Sequence, residues 1–281
     1  MDNQPVIEVN NLHHTYPNGV QALHGIDLRI SSGEYIAVVG QNGSGKTTLA
    51  KHLNGLLKPS LGQIKINGID ISPMRISELS RIVGYVFQNP DDMLFCNSVE
   101  EEISFGLKLM GFEQSEKQER VEKSLKRMGL EQLRDQHPFT LSLGDRQRVA
   151  VACILAITPR IFVFDEPTTG QDYFGGQSIM ETIEMLHADG CTILIITHDM
   201  RLVAEQAQRV IVMNGGRIAI DAPPGEAFKQ LDLLEKLSLR APQITRLSQL
   251  LGWQGEALLD VPGFCDWVEQ SWRTQDEAKR W

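Results

Sequence analysis

Gly40-Gln41-Asn42-Gly43-Ser44-Gly45-Lys46-Thr47 decides the reading of this chain. The run before it, Tyr35-Ile36-Ala37-Val38-Val39, has the continuous hydrophobicity of a buried parallel strand. After it, Thr48-Leu49-Ala50-Lys51-His52-Leu53 places Leu49 and Leu53 four apart, the spacing of one helix face. Strand, glycine loop and helix form the context in which G-x-x-x-x-G-K-[ST] binds phosphate. Gly40, Gly43 and Gly45 let the backbone curl until its N–H groups converge on an anion. The helix opening near Gly45 adds its positive end. Lys46 brings a mobile point charge to the β- and γ-phosphates. Thr47 offers a hydroxyl to Mg²⁺, a hard ion that prefers oxygen. A plain glycine turn between strand and helix would not need the Lys-Thr pair.

The rest of the composition narrows the class. A chain of 281 residues suits one large domain, or one domain with a smaller companion, and 42% hydrophobic content supplies a core. The net charge of −9 argues against nucleic acid held on a broad basic face. Cys96, Cys153, Cys191 and Cys265 lie far apart without C-x-x-C spacing, which points to a reduced compartment with no disulfide frame and no structural zinc. Met1-Asp2-Asn3-Gln4-Pro5 lacks the basic start and apolar core of a signal peptide. No apolar run approaches the ~20 residues that span a bilayer. Any service to a membrane is therefore expected from outside the bilayer.

The early strands Val6–Val9 and Ile26–Ile30 alternate and are expected to pair antiparallel. Between them Tyr16 reads either as an ordinary strand-end aromatic or as a ring on which adenine stacks. Ile82-Val83-Gly84-Tyr85-Val86-Phe87 is an apolar strand that runs into Gln88, a polar amide where α/β folds place ligands. Residues 99–128 are helical in pattern, broken at Gly111-Phe112, and form an insertion between core strands. Ser142 reads as a helix cap ahead of the apolar helix Val149–Ile157, with a second anion site at that helix start as the alternative. Arg160-Ile161-Phe162-Val163-Phe164-Asp165-Glu166 delivers two carboxylates to the end of a buried strand. Asp165 is placed to hold Mg²⁺ and Glu166 to take a proton from an attacking water. A further strand, Cys191–Ile196, ends in Thr197-His198-Asp199, and Asn214-Gly215-Gly216 joins a hairpin. After Pro223-Pro224-Gly225 the composition changes. Leu231–Leu239 and Ile244–Leu251 read as short amphipathic helices, and Trp253, Phe264, Trp267 and Trp272 gather near the C-terminus. That tail is either a small packed subdomain or an oligomer contact.

The phosphate loop, Gln88, the Leu141–Arg148 segment, Asp165-Glu166 and His198 stand in one order. Together they resemble the nucleotide-binding ATPase of ABC transporters over residues 5 to about 225. The resemblance implies a P-loop α/β fold: a mainly parallel core sheet, an antiparallel β subdomain, a helical insertion at about 90–158, and a small extension over 226–281 as a dimer contact. It implies ATP and Mg²⁺ as ligands. Tyr16 would stack adenine, and Gly40, Asn42, Gly43, Ser44, Gly45, Lys46, Thr47 and Thr48 would wrap the phosphates. Gln88 would sense Mg²⁺ and water. Asp165 would be the acidic partner of Mg²⁺, Glu166 the general base and His198 the γ-phosphate switch. Ser142 and Gly144 would contact ATP held by a second subunit, with Asp172 at the seam.

Gln88-Asn89-Pro90-Asp91-Asp92-Met93-Leu94-Phe95 and Val99-Glu100-Glu101-Glu102-Ile103-Ser104-Phe105-Gly106, with the tail Leu239–Leu247, are similar to the ATPases of energy-coupling factor (ECF) transporters. Those import vitamins and transition metals. The likeness implies a second ATPase subunit, an integral-membrane scaffold, a solute-capture membrane protein, and a place on the cytoplasmic face of the membrane. One departure stands out. The usual signature is Leu-Ser-Gly-Gly-Gln, whereas Leu143 and Asp145 here replace a glycine and the glutamine. A weakened composite site, and hence a heterodimer with a more standard partner, is expected. The rival readings are a soluble ABC-type ATPase acting on DNA or ribosomes, and a module that senses ATP without splitting it.

Overall fold

The computed structural model describes residues 5–278. Two sheets share the work. In the smaller, β1 (Pro5–Thr15), β2 (Gln21–Ser31), β4 (Leu61–Ile66) and β5 (Ile69–Asp70) run in the order β2-β1-β4-β5, and every pairing is antiparallel. In the larger, β3 (Tyr35–Gly40), β6 (Val83–Val86), β7 (Ile161–Asp165), β8 (Thr192–Ile196), β9 (Arg209–Asn214) and β10 (Arg217–Ala222) run in the order β10-β9-β3-β8-β7-β6. All neighbours in this sheet are parallel except the β9–β10 hairpin. The antiparallel subdomain and mainly parallel core therefore match the fold expected from the sequence.

The helices are α1 (Lys46–Leu53), α2 (Ile76–Leu79), α3 (Val99–Leu109), α4 (Gln114–Met128), α5 (Leu143–Ile157), α6 (Tyr173–Ala188), α7 (Met200–Gln206), α8 (Pro224–Lys229), α9 (Leu231–Lys236), α10 (Gln243–Leu250) and α11 (Val261–Ala278). Gly111 at φ 76° separates α3 from α4, as the break in the pattern implies. Among the described residues no helix is long and apolar enough to cross a membrane.

Strand alternation splits the interior in two. Tyr35, Ala37, Val39, Phe162, Phe164, Ile193 and Ile195 face a core shared with helices α3–α6. Ile36, Val38, Ile161, Val163, Leu194 and Ile196 face α1 and the antiparallel sheet. Both faces of the parallel sheet are covered, which is why its strands read as unbroken apolar runs.

Two outcomes differ from the sequence reading. The helix after Ser142 begins at Leu143, six residues earlier than its apolar run, because the Ser142 side chain caps it there. Residues after 225 also do more than form a tail. Ala227, Phe228, Leu234 and Leu237 are buried in the same core as the parallel sheet. Trp253 and Trp267 stack edge to face, and Phe264 packs on Trp267. The Trp272 side chain lies outside the described residues.

Candidate nucleotide-binding site

Parallel neighbours place their C-terminal ends on one edge. Along β3, β8, β7 and β6 that edge carries Gly40, Thr197-His198, Asp165-Glu166 and Phe87-Gln88 in turn. Residues more than a hundred positions apart are thereby brought to one place.

The phosphate loop is shaped by close approach. A Cβ on Gly40 would sit 2.3 Å from the Met213 carbonyl oxygen, and one on Gly45 would sit 2.9 Å from that of Ala22. Both positions also have positive φ, so only glycine fits. Helices α3, α5, α6 and α7 begin with a side-chain cap from Ser98, Ser142, Asp172 and Asp199. Helices α4, α8, α9 and α10 begin without one, and so does α1, whose N-cap is Gly45. Its first N–H groups are left for a ligand. Lys46 is 8% exposed and donates from Nζ to the carbonyls of Gly40 (2.8 Å) and Gln41 (2.9 Å). Burial pushes its pKa down, while Glu166 and Asp165 nearby pull the other way. A buried ammonium resting on loop carbonyls is poised for a stronger anionic partner.

Asp165 is buried, and its Oδ2 accepts from the Tyr85 hydroxyl at 2.9 Å. Its Oδ1 is buried without a partner. Burial raises the Asp165 pKa, and hydrogen bonding from Tyr85 and Thr47 opposes the rise. Glu166 stands in the left-handed region, φ 48°, an uncommon conformation for a residue with a long side chain. Its Oε2 accepts from Gln88 Nε2 (3.2 Å) and Thr169 Oγ1 (3.0 Å), and His198 Nδ1 lies 3.5 Å away.

Lys46 and Glu166 line one open cleft of ≈ 1040 Å³, with Tyr16, Gly43, Thr47, Thr48, Gln88 and His198 on its wall, whereas Ser44 and Asp165 are buried off that wall. The Tyr16 hydroxyl is 3.0 Å from Thr48 Oγ1, and its ring meets His14 edge-on at 4.6 Å. His14 in turn meets buried His52 at 3.2 Å between ring nitrogens. Burial holds the His52 pKa down.

Ser142 and Gly144 line a different cleft, with Leu143, Asp145, Gln171, Asp172 and Phe174. There the Ser142 hydroxyl donates to Asp145 Oδ2 at 2.7 Å and caps the Asp145 N–H at 3.1 Å. Asp145 Oδ1 is ion-paired with Arg148. Asp145 stands where the usual signature has glutamine, and a free carboxylate there would bring negative charge toward a neighbouring nucleotide. In the structure that carboxylate is matched within its own helix, one turn on.

The family model described as "ABC transporter" matches residues 23–169, just over half of the chain. The ECF transporter ATP-binding protein EcfA of Methanothermobacter thermautotrophicus is 40% identical over 252 residues, 89% of this chain and 81% of that one. The chain is an ABC-family ATPase. A solved structure of CbiO1 from Clostridium perfringens, described as part of the ABC transporter complex CbiONQ, aligns with a TM-score of 0.73 at 38% identity. That match covers 89% of the ATPase and 100% of CbiO1. A relative from Caldanaerobacter subterraneus is 45% identical over 88% of the ATPase, which spans only 43% of that longer protein.

Some contributors were not singled out in the sequence. Tyr85 reads as one more apolar strand residue, yet it orients Asp165. Thr169 does the same for Glu166. Gln147 donates to the Phe87 carbonyl at 3.2 Å, and Arg146 is ion-paired with Asp91 at 3.0 Å. Both tie the start of α5 to the Gln88 segment of the ATPase. Their placement beside Ser142 was the one available signal.

Proposed function

We propose that this ATPase energises an ECF-type importer of a vitamin or transition-metal ion. It would act from the cytoplasmic face of a membrane, through an integral-membrane scaffold that works with a separate solute-capture protein. The observation that carries the hydrolytic part is the convergence of Gln88, Thr169 and His198 on one Glu166 oxygen at the phosphate end of the cleft.

ATP binds with its phosphates in the Gly40–Thr48 loop and adenine against Tyr16. Lys46 leaves the carbonyls of Gly40 and Gln41 for the β- and γ-phosphates. Glu166 takes the proton of the attacking water, oriented by Gln88, while His198 contacts the γ-phosphate. The site suits Mg²⁺: Asp165 Oδ1 is a buried oxygen without a partner, and the Thr47 hydroxyl is close by. Thr47 and Asp165 would hold it, with Gln88 beside it. When bound, Mg²⁺ neutralises charge developing on the phosphoryl group.

ATP would be clamped between two ATPase subunits, this one supplying its Ser142–Gly144 segment to the partner's nucleotide. Exposed Tyr173 (74%) and Phe174 (79%) flank that segment and support a dimer seam. Phe95 (62% exposed) pairs edge to face with Phe105 next to the Gln88 loop, and supports docking of the membrane scaffold there. Arg146 and Gln147 would pass movement between the two surfaces.

The segment offered to the partner is altered. Leu143 adds bulk, and the Ser142 hydroxyl proton is already given to Asp145. A heterodimer with a more standard ATPase follows from this asymmetry. Phosphate release by the purified chain alone, and with a co-expressed second ATPase, tests it. The expected result is slow release alone and faster, cooperative release by the pair. The double variant Leu143→Gly/Asp145→Gln should raise turnover of the chain alone. Fast, cooperative turnover by the wild-type homodimer would refute the heterodimer. Binding without any release in either setting would favour an ATP sensor.

A further inference from the structure

Leu237, Ser238 and Leu239 close α9, outside the residues that the family model matches. Yet Ser238 and Leu239 line the same cleft as Tyr16, Lys46 and Glu166. The turn has a defined form. The Leu239 N–H donates to the Leu234 carbonyl at 2.8 Å, and the Ser238 N–H donates to that of Glu235 at 2.9 Å. Ser238 is left-handed, φ 53°. These paired bonds make a Schellman stop, whose left-handed position normally goes to glycine. Here a residue with a hydroxyl occupies it, on the wall of the cleft.

A helix end leaves its last carbonyls without donors from its own backbone. The Leu237 carbonyl finds one elsewhere: Gln41 Nε2 donates to it at 3.0 Å. Gln41 belongs to the phosphate loop, and its own carbonyl receives Lys46 Nζ. One residue thus touches both the lysine that must reach the phosphates and the carbonyl that ends α9. Leu234 and Leu237 are buried in the main core, so the tie anchors the loop to a packed element.

We infer that the Leu237–Leu239 turn is a wall of the ATP cleft, with Ser238 facing the nucleotide and Gln41 acting as a positioning residue that couples ATP occupancy to the α9–α10 segment. This rests on the ATP-binding reading above. When Lys46 moves to the phosphates, the Gln41 carbonyl keeps only the Ser44 N–H, 3.1 Å away, and the amide tie is what holds the Gln41 side chain against α9. Without the tie, the bare Leu237 carbonyl would face a polyanion. Coupling of this kind is reciprocal: ATP steadies the turn as the turn steadies the loop.

Hydrogen exchange on the full chain, with and without ATP, tests the inference beside equilibrium ATP binding. In the wild type, ATP should slow exchange over residues 234–242. Gln41→Glu keeps the length but sets an acceptor against an acceptor. It should abolish the slowing and weaken ATP binding by about fivefold or more, the equivalent of one net hydrogen bond. The loss should fall mainly on KM rather than kcat. Tight ATP binding by the wild type without slowing over 234–242 would overturn the inference. So would slowing that survives in Gln41→Glu. Failure of the wild type to bind ATP at all would be a different result, and would bring down the ATP reading itself.

Discussion

Tyr85→Phe removes one oxygen from the middle of the site and leaves the ring in place against Phe87, 4.7 Å away between centroids. What is lost is the 2.9 Å bond to Asp165 Oδ2. Asp165 is 2% exposed, which keeps bulk water from taking over the role. A hydrogen bond to a charged group is worth about 1.5–3 kcal/mol. The variant should therefore be destabilised by about 2 kcal/mol, or roughly 3–4 °C in Tm for a chain of this size. The cost applies to the charged carboxylate. Burial already raises the Asp165 pKa, and losing Tyr85 removes a group that opposes the rise. As pH falls, Asp165 takes up a proton and the gap between variant and wild type should narrow. Thermal melts at pH 8 and pH 5, compared with Asp165→Asn and the double variant, measure this coupling. Equal stability of Tyr85→Phe and wild type at pH 8, or a gap that widens in acid, would refute the reasoning.

Two further outcomes follow from the packing. His52 is buried with its pKa held below 6.5, so the unfolded chain takes up its proton first. Its contribution to stability is present above pH 6.5 and is lost as pH falls below it, at up to about 1.4 kcal/mol per pH unit. His52→Gln should flatten that acid slope in pH-dependent melts. Gly84→Ala would place a Cβ 2.3 Å from Ile154 Cγ2 and 2.8 Å from Pro159 Cγ, and should cost about 1–3 kcal/mol in urea unfolding.

Much of the site could be read from sequence because its residues end apolar runs. Gly40, Asp165 and His198 each follow a stretch buried on both faces, where a polar residue has to mark the sheet edge. The order of strands at that edge was not legible, since β8 lies between β3 and β7 although it comes after both in the chain. Tyr85 was missed because an inward hydroxyl looks like any aromatic in a strand until a neighbouring strand supplies Asp165. The partner of Asp145 was within reach, as Arg148 sits three residues on. The C-terminal helices had visible amphipathic patterns, but nothing local says that Phe228 and Leu234 bury against the main sheet. Helix α11 was not anticipated, because Phe264 and Trp267 read there only as a gathering of aromatics.

The account depends on Glu166 as the base for water attacking ATP held over Lys46. Phosphate release by Glu166→Gln, measured beside ATP binding by the same protein, tests this most directly. The expected result is ATP binding retained in a long-lived closed dimer, with release slowed by about 10²–10⁴. Release at the wild-type rate would contradict it.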